Sequence, residues 1–300
     1  MQLLIMMLLL SAVNPAVSPA GSPAVSSVPK NQILVKGAVP SASDPSTPVP
    51  ETGRIADGRY RNAYFGLAYP IPAGWTEQPA GPPPSDAGGY VLTQFASLDG
   101  QRVKAHVLVT AQDLFFIPFA AASAKDVAAK TRSAIAERYE LEKGPDEVTI
   151  AGRTFSRLAY KASPASGLRW RMFTTEARCH ALTFTFTGTD TKLLDEAEKV
   201  LSDLRIDNNA PACVNDYARD HVVAKTTPAL TQRYNTIPVR VIIDAEGKVR
   251  HIHLLSAFPE QSQAVLTALR EWRFKPYMVD GRAVEVETGM VFGLPRLVVR

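Results

Sequence analysis

His251 and His253 stand two residues apart in a stretch with strand character. That spacing puts both imidazoles on one face, which a divalent metal can use. No third ligand stands near them in sequence, so no metal is expected, and both rings are read as exposed or at a rim. His106, His180 and His221 are isolated, with no Asp or Glu following at a fixed catalytic spacing. There is no Gly-x-Ser-x-Gly nucleophile turn, no Gly-x-Gly-x-x-Gly and no phosphate loop. The expectation is therefore a protein with no catalytic residues and no cofactor. Arg169, Arg171 and Arg178 place positive charge on one strand pair, read as a solvated sheet face with anion binding as the alternative. Cys179 and Cys213 have no His or acid arranged beside them for catalysis, and a structural disulfide is the reading that accounts for both.

The elements that must carry these residues follow from hydrophobic period. His180-Ala-Leu-Thr-Phe-Thr-Phe-Thr187 alternates strictly, with Leu182, Phe184 and Phe186 on one face and threonines on the other. It pairs with a strand holding Trp170 and Met172, so Cys179 falls at a hairpin tip. Strands are expected near Tyr90–Ala96, Val103–Val109, Val148–Ile150 and Phe155–Ala162. Ser123-Ala-Lys-Asp126 has capping-box spacing and predicts a helix reaching about Tyr139. Leu193, Leu194, Ala197, Val200, Leu201 and Leu204 predict an amphipathic helix over 190–204. Farther on, Ile237–Ile243 and Lys248–Leu255 are strands joined by a turn at Asp244-Ala-Glu-Gly247. Pro259 and Glu260 open a helix with Val265, Leu269 and Trp272 on its inner face. In the last strand, Val284, Val286, Thr288, Met290 and Phe292 face that helix, while Glu285, Glu287 and Val291 point away. The chain after helix 190–204 can return to the hairpin tip, which brings Cys213 to Cys179.

The 300 residues are 46% hydrophobic and 21% charged, which excludes disorder throughout and suits two folded domains. Thirty-three Lys and Arg against 29 Asp and Glu give a net charge of +4, and no basic stripe stands out, so nucleic acid is not an expected partner. Eleven of the first thirteen residues are apolar, and the run then stops at Asn14-Pro15. A spanning helix needs about 20 such residues. The run reads as a signal peptide over 1–20, with an uncleaved membrane anchor as the alternative and the sole membrane contact in that case. Residues 21–58, dense in Pro, Ala and Ser, are read as a disordered tether.

The segment Tyr64-Phe-Gly-Leu-Ala-Tyr-Pro-Ile-Pro-Ala-Gly-Trp75, followed by this element order, resembles the PsbP/DcrB-like families over about 59–207. The resemblance implies a fold without a shared chemistry. Over about 214–300, Val239-x-Val241-x-Ile243-Asp244-x-x-Gly247-x-Val249, Ala268-Leu-Arg-Glu-Trp-Arg-Phe-Lys-Pro276 and Gly281-Arg-Ala-Val284 resemble the TonB C-terminal domain. The fold class expected is α+β: an antiparallel sheet with packed helices, then a small β-β-α-β domain. The resemblance implies a periplasmic or secreted cell-envelope protein with a non-enzymatic adaptor role. Its protein partner, an outer-membrane receptor or other envelope protein, would add a strand to the final edge, Val284, Glu285, Val286, Glu287, Thr288, Met290 and Phe292. The alternatives are an energy transducer for outer-membrane transport and a secreted hydrolase.

Overall fold

The computed structural model describes residues 37–137, 139–162, 166–207, 210–230, 233 and 235–293. The expected signal peptide, residues 21–36 of the expected tether, and the last seven residues lie outside these. Four short strands come first, β1 (Val39–Ala42), β2 (Gly53–Ala56), β3 (Arg59–Asn62) and β4 (Leu67–Pro70), then β5 (Thr76–Glu77), β6 (Gly89–Asp99) and β7 (Arg102–Asp113). Helix α1 (Ala124–Ala134) leads to β8 (Glu140–Ile150), β9 (Arg153–Lys161), β10 (Arg169–Ala177) and β11 (His180–Gly188). Helix α2 (Thr191–Lys199) continues as a 3-10 turn over Val200–Asp203. A connection follows, with β12 (Arg205–Ile206), β13 (Ala212–Cys213), the one-turn helix α3 (Tyr217–Asp220) and β14 (Val222–Ala224). The second domain holds β15 (Thr236–Ile243), β16 (Val249–Ala257), α4 (Pro259–Arg270), β17 (Arg273–Phe274), β18 (Tyr277–Val279), β19 (Arg282–Val284) and β20 (Val286–Gly293).

The class is α+β. A seven-stranded antiparallel sheet runs β5-β6-β7-β11-β10-β9-β8. Central β11 is buried along its whole length because each face meets a helix. Leu182, Phe184 and Phe186 pack with Leu194, Ala197 and Leu201 of α2 and its continuation. On the opposite face Ala181 packs with Ala124 and Val127 of α1, and Thr183 and Thr174 satisfy each other's hydroxyls at 3.0 Å. The Ser123 hydroxyl accepts from Asp126 N, and the Asp126 carboxylate accepts in return from Ala122 N and Ser123 Oγ. Helix α1 ends at Ala134, short of the expected Tyr139, because β8 starts at Glu140. The strand expected here is Val148–Ile150 alone, whereas β8 starts at Glu140 and runs through the pair Gly144-Pro145. The strand absorbs it in bulges between Leu141 and Asp146, on a sheet edge where a proline forfeits no ladder bond.

The second sheet runs β1-β16-β15-β20-β13. Alternation gives it two faces. Ile237, Val239, Val241, Ile252, Leu254 and Val286 join Val265 and Leu269 of α4 in one core. At burial of this kind each large aliphatic side chain contributes about 2 kcal/mol. Gly247 allows the β15–β16 turn: its φ is +80°, and a Cβ there would run into the Phe274 carbonyl. The opposite face, with Arg240, His251, His253, Leu255 and Glu287, lies against the first domain, and Leu255 belongs to that domain's core cluster.

The tether expected up to Gly58 is not what the structure shows between residues 39 and 58. Strand β1 pairs with β16 (Val39↔Ala257, Ser41↔Leu254, Ala42↔His253), and β2 pairs with β3. Pro40 sits where the β1 register shifts, a position that tolerates a missing donor.

Candidate functional site

The face between the domains carries charge where apolar side chains would be ordinary. Arg240, at mid-β15, is 1% exposed, and Glu287 on neighbouring β20 is 2% exposed. Arg240 Nε donates to Glu287 Oε1 at 3.1 Å, and its Nη1 donates to Asp113 Oδ2 at 2.5 Å. Asp113 closes β7, and its other oxygen accepts from Phe115 N at 2.8 Å. Arg178, in the β10–β11 turn, donates from Nε to Glu287 Oε2 at 2.8 Å and from Nη1 to the Tyr64 carbonyl at 3.0 Å. The Tyr64 hydroxyl donates to Glu287 Oε1 at 2.9 Å, and its ring lies 3.9 Å under the Arg178 guanidinium. Two cations and two carboxylates thus cancel with nearly every site satisfied, the condition under which buried charge is tolerated.

Burial alone would raise the Glu287 carboxyl, but Arg240 and Arg178 outweigh it and hold it at about 2. Burial pushes Asp113 up against the pull of Arg240. His180 lies against Tyr64, Phe65 and Tyr90 with ring centroids 5.0–5.7 Å away. Burial first, then Arg240, keeps its pKa well below the ordinary value. The ring is neutral, with Nδ1–H donating to the Arg178 carbonyl at 2.7 Å and Nε2 facing Asp113 Oδ2 at 3.6 Å. The His180–Asp113 pair is 0% exposed on both sides. The cluster therefore fixes the geometry between the domains.

His251 and His253 are not rim residues. They are 4% and 3% exposed. Asp44 Oδ2 accepts from His251 Nδ1 at 2.7 Å, and Glu51 Oε1 lies 3.0 Å from His253 Nε2. Both carboxylates come from the segment expected to be disordered, which crosses this end of the sheet as a strap. Burial lowers His251 despite Asp44. Burial would raise Asp44, yet the bonds from His251, Ser46 and Thr47 hold it well below the usual carboxylate range. Among the described residues no group of three or more His, Cys, Asp or Glu is placed to hold a metal ion.

Of the expected partner strand, Val284 belongs to β19 and pairs with Tyr277, and Glu285 lies between strands and meets Arg250 at 2.7 Å. Val286, Thr288, Met290 and Phe292 face the core as expected, and Phe292 meets Trp272 at 5.9 Å. Glu287 is the correction. It does not guard an outer face, because that face is covered by the first domain. Nor is β20 the terminal strand. β13 adds to its start in parallel, Ala212↔Val286 and Cys213↔Glu287. Ala212 N donates to the Glu285 carbonyl at 3.0 Å and Val214 N to that of Glu287 at 3.1 Å. Odd-numbered residues therefore turn their main-chain groups to this edge. Beyond Glu287, Gly289, Val291 and Gly293 do so with no strand against them among the described residues, and Val291 is 57% exposed.

The disulfide joins Cys179 to Cys213, with Cα atoms 5.9 Å apart. It ties the β10–β11 turn to β13, one residue from Arg178.

Residues 231–294 match the family described as the Gram-negative bacterial TonB protein C-terminal. The matched residues span β15 through β20, the sheet and helix whose face holds Arg240 and Glu287. The solution structure of cyanobacterial PsbP from Synechocystis sp. PCC 6803 is similar to 52% of this chain and 99% of its own, at 15% identity and a TM-score of 0.36. No curated protein matches the chain. No helix among the described residues is long and apolar enough to cross a membrane.

Arg169 and Arg171 are not free on a solvated face: both are half-buried in ion pairs, Arg169 with Glu142 and Arg171 with Asp195 and Glu198 of α2. Arg178 belongs to the buried cluster, and neither its role nor that of Arg240 was anticipated. The available signal was a charged residue inside an otherwise apolar strand, Ile237-Pro-Val-Arg-Val-Ile-Ile243. Such a residue is rarely buried without a partner of opposite charge.

Proposed function

We propose that this is an exported, non-enzymatic protein of the bacterial cell envelope that binds a partner protein by strand addition. Its TonB C-terminal-like domain receives an extended segment of an outer-membrane or other envelope protein. The α+β domain is the base on which that sheet is mounted. The observation that supports this reading is the stretch of β20 with no strand against it among the described residues, where Gly289, packed beside Phe115, and then Val291 and Gly293 present main-chain groups next to the exposed Val291 side chain. Donors and acceptors in a row recruit an extended peptide, and alternate side chains set its specificity. The rest of β20 is committed to the core on one face and to the charge cluster at its start, so the register of an added strand is fixed.

The test is Val291→Pro. The Val291 N–H points to the open edge, so proline removes a donor from the partner and none from β15. The variant is expected to fold as the parent does and to lose capture of the partner from envelope extracts. Equal capture by Val291→Pro and the parent would refute strand addition here.

A further inference from the structure

We propose that the Cys179–Cys213 disulfide is an exchangeable clamp, opened by a dithiol attacking Cys213, and that its opening lifts β13 off β20. The inference deepens the strand-addition reading and rests on it for its consequence alone: a partner would then find the edge free from Glu285 to Gly293 instead of from Gly289.

Four observations carry it. The two half-cystines are unequally placed, since the Cys179 residue is 4% exposed while the Cys213 residue lies at the surface. An incoming thiolate is thus directed to one end of the bond. Second, β13 is a two-residue strand held to β20 by two ladder pairs, a contact too short to persist without help. Its neighbours are anchored elsewhere: β12 pairs with β4, and Tyr217 and Ala218 of α3 are buried in the second core. Between these anchors, Ala212–Val214 is held by the two ladder pairs, the disulfide and the packing of Val214 against the second core. Third, Arg178 and Cys179 both have positive φ, 49° and 56°, in a two-residue hairpin turn where Asn-Gly is the ordinary choice. Neither side chain favours that backbone, and each is retained there by a bond across the interface, Arg178 to Glu287 and Cys179 to Cys213. Fourth, Cys213 is the ladder partner of Glu287, so the clamp closes at the residue where β20 leaves the charge cluster and its open edge begins.

The chemistry is thiol–disulfide exchange with a dithiol as reductant. Its thiolate attacks Cys213 Sγ, the bond to Cys179 Sγ breaks, and Cys179 leaves as a thiolate that takes a proton from solvent. The second thiol of the reagent, deprotonated, then attacks the mixed disulfide. Cys213 leaves as a thiolate and is protonated, and the reagent ends as its own disulfide. Two electrons pass from reagent to protein.

The experiment uses the full chain and no partner. Under native conditions, glutathione followed by rapid acid quench should leave a mixed disulfide on Cys213, read by peptide mass spectrometry. Dithiothreitol should reduce the bond without denaturant. In the reduced protein, hydrogen exchange at Ala212 and Val214 should accelerate about tenfold or more, while Val239 and Val241 in β15 keep their protection. Cys213→Ser should show the same exchange pattern without any reductant, and reduction of the parent gives the answer should that variant fold poorly. An adduct on Cys179, a bond that yields only after unfolding, or unchanged protection at 212 and 214 in the reduced chain would overturn the proposal. None of these readouts involves a partner strand, so failure here leaves the strand-addition reading to its own test.

Discussion

Glu287 accepts three hydrogen bonds, from Tyr64, Arg178 and Arg240, and each donor arrives from a different part of the chain. Removing one member of such a cluster leaves the others buried and uncompensated, which costs ~3–5 kcal/mol. Glu287→Gln should therefore lower the unfolding free energy by about that amount at pH 7, read by denaturant titration. The sign with pH follows from linkage. Glu287 titrates at about 2 in the fold against an ordinary 4.5, so its contribution is complete above pH 4.5 and is lost as pH falls toward 2. His180 and His251, both held below their ordinary value, act in the same sense: below about 6.5 the unfolded chain takes up protons that the fold refuses. Asp113, raised by burial, works in the opposite sense. The parent should lose stability steeply from pH 4.5 to 2, and Glu287→Gln should lose less over that window. A variant as stable as the parent at pH 7, with an identical acid limb, would remove the cluster from the account.

At the scale of elements, period alone located β11, β15, β16, α2 and α4. Each buries a face set by its own residues, and Leu182-Thr-Phe-Thr-Phe or Val265 with Leu269 states that face locally. The face of β20 opposite the core was also visible, but not what covers it. Glu287 alternates outward by period, and only the return of β7 and the β10–β11 turn makes that direction an interior. The strap failed for a related reason. Pro40, Pro45, Pro48 and Pro50 give residues 39–58 the composition of a tether, while the bonds that order them reach across 207 and 202 residues, from Asp44 to His251 and from Glu51 to His253. No local pattern encodes a contact at that separation. Replacing Asp44 and Glu51 together by Ala should free the strap. Ser43 N, which now donates to the Ile252 carbonyl at 2.8 Å, is then expected to exchange its hydrogen about tenfold faster or more, with α4 unaffected. Unaltered exchange at Ser43 would mean that the β1–β16 ladder alone holds the segment.

The whole molecule joins two cores across one polar seam. The disulfide closes a loop of 34 residues between them, and in the chain-entropy model a loop of that length stabilises by ~4 kcal/mol. With Arg240 and Glu287 bound to the first domain and β1 and β13 laid on opposite edges of the second sheet, the TonB C-terminal-like domain is presented in one orientation. Own-chain strands cover each edge in part, β1 along β16 from Ile252 to Ala257 and β13 at the start of β20, which guards against pairing between copies. On the β20 edge, what is left for a partner among the described residues is the short run from Gly289 to Gly293. The most direct measurement of strand addition there is residue-resolved amide exchange of the protein with and without its captured partner. Main-chain bonding to an added strand predicts new protection at Gly289, Val291 and Gly293, the outward-facing amides, and little change at Met290 and Phe292, which already face β15. Protection gained along β1 or β8 instead, with those three amides exchanging as freely as before, would contradict it.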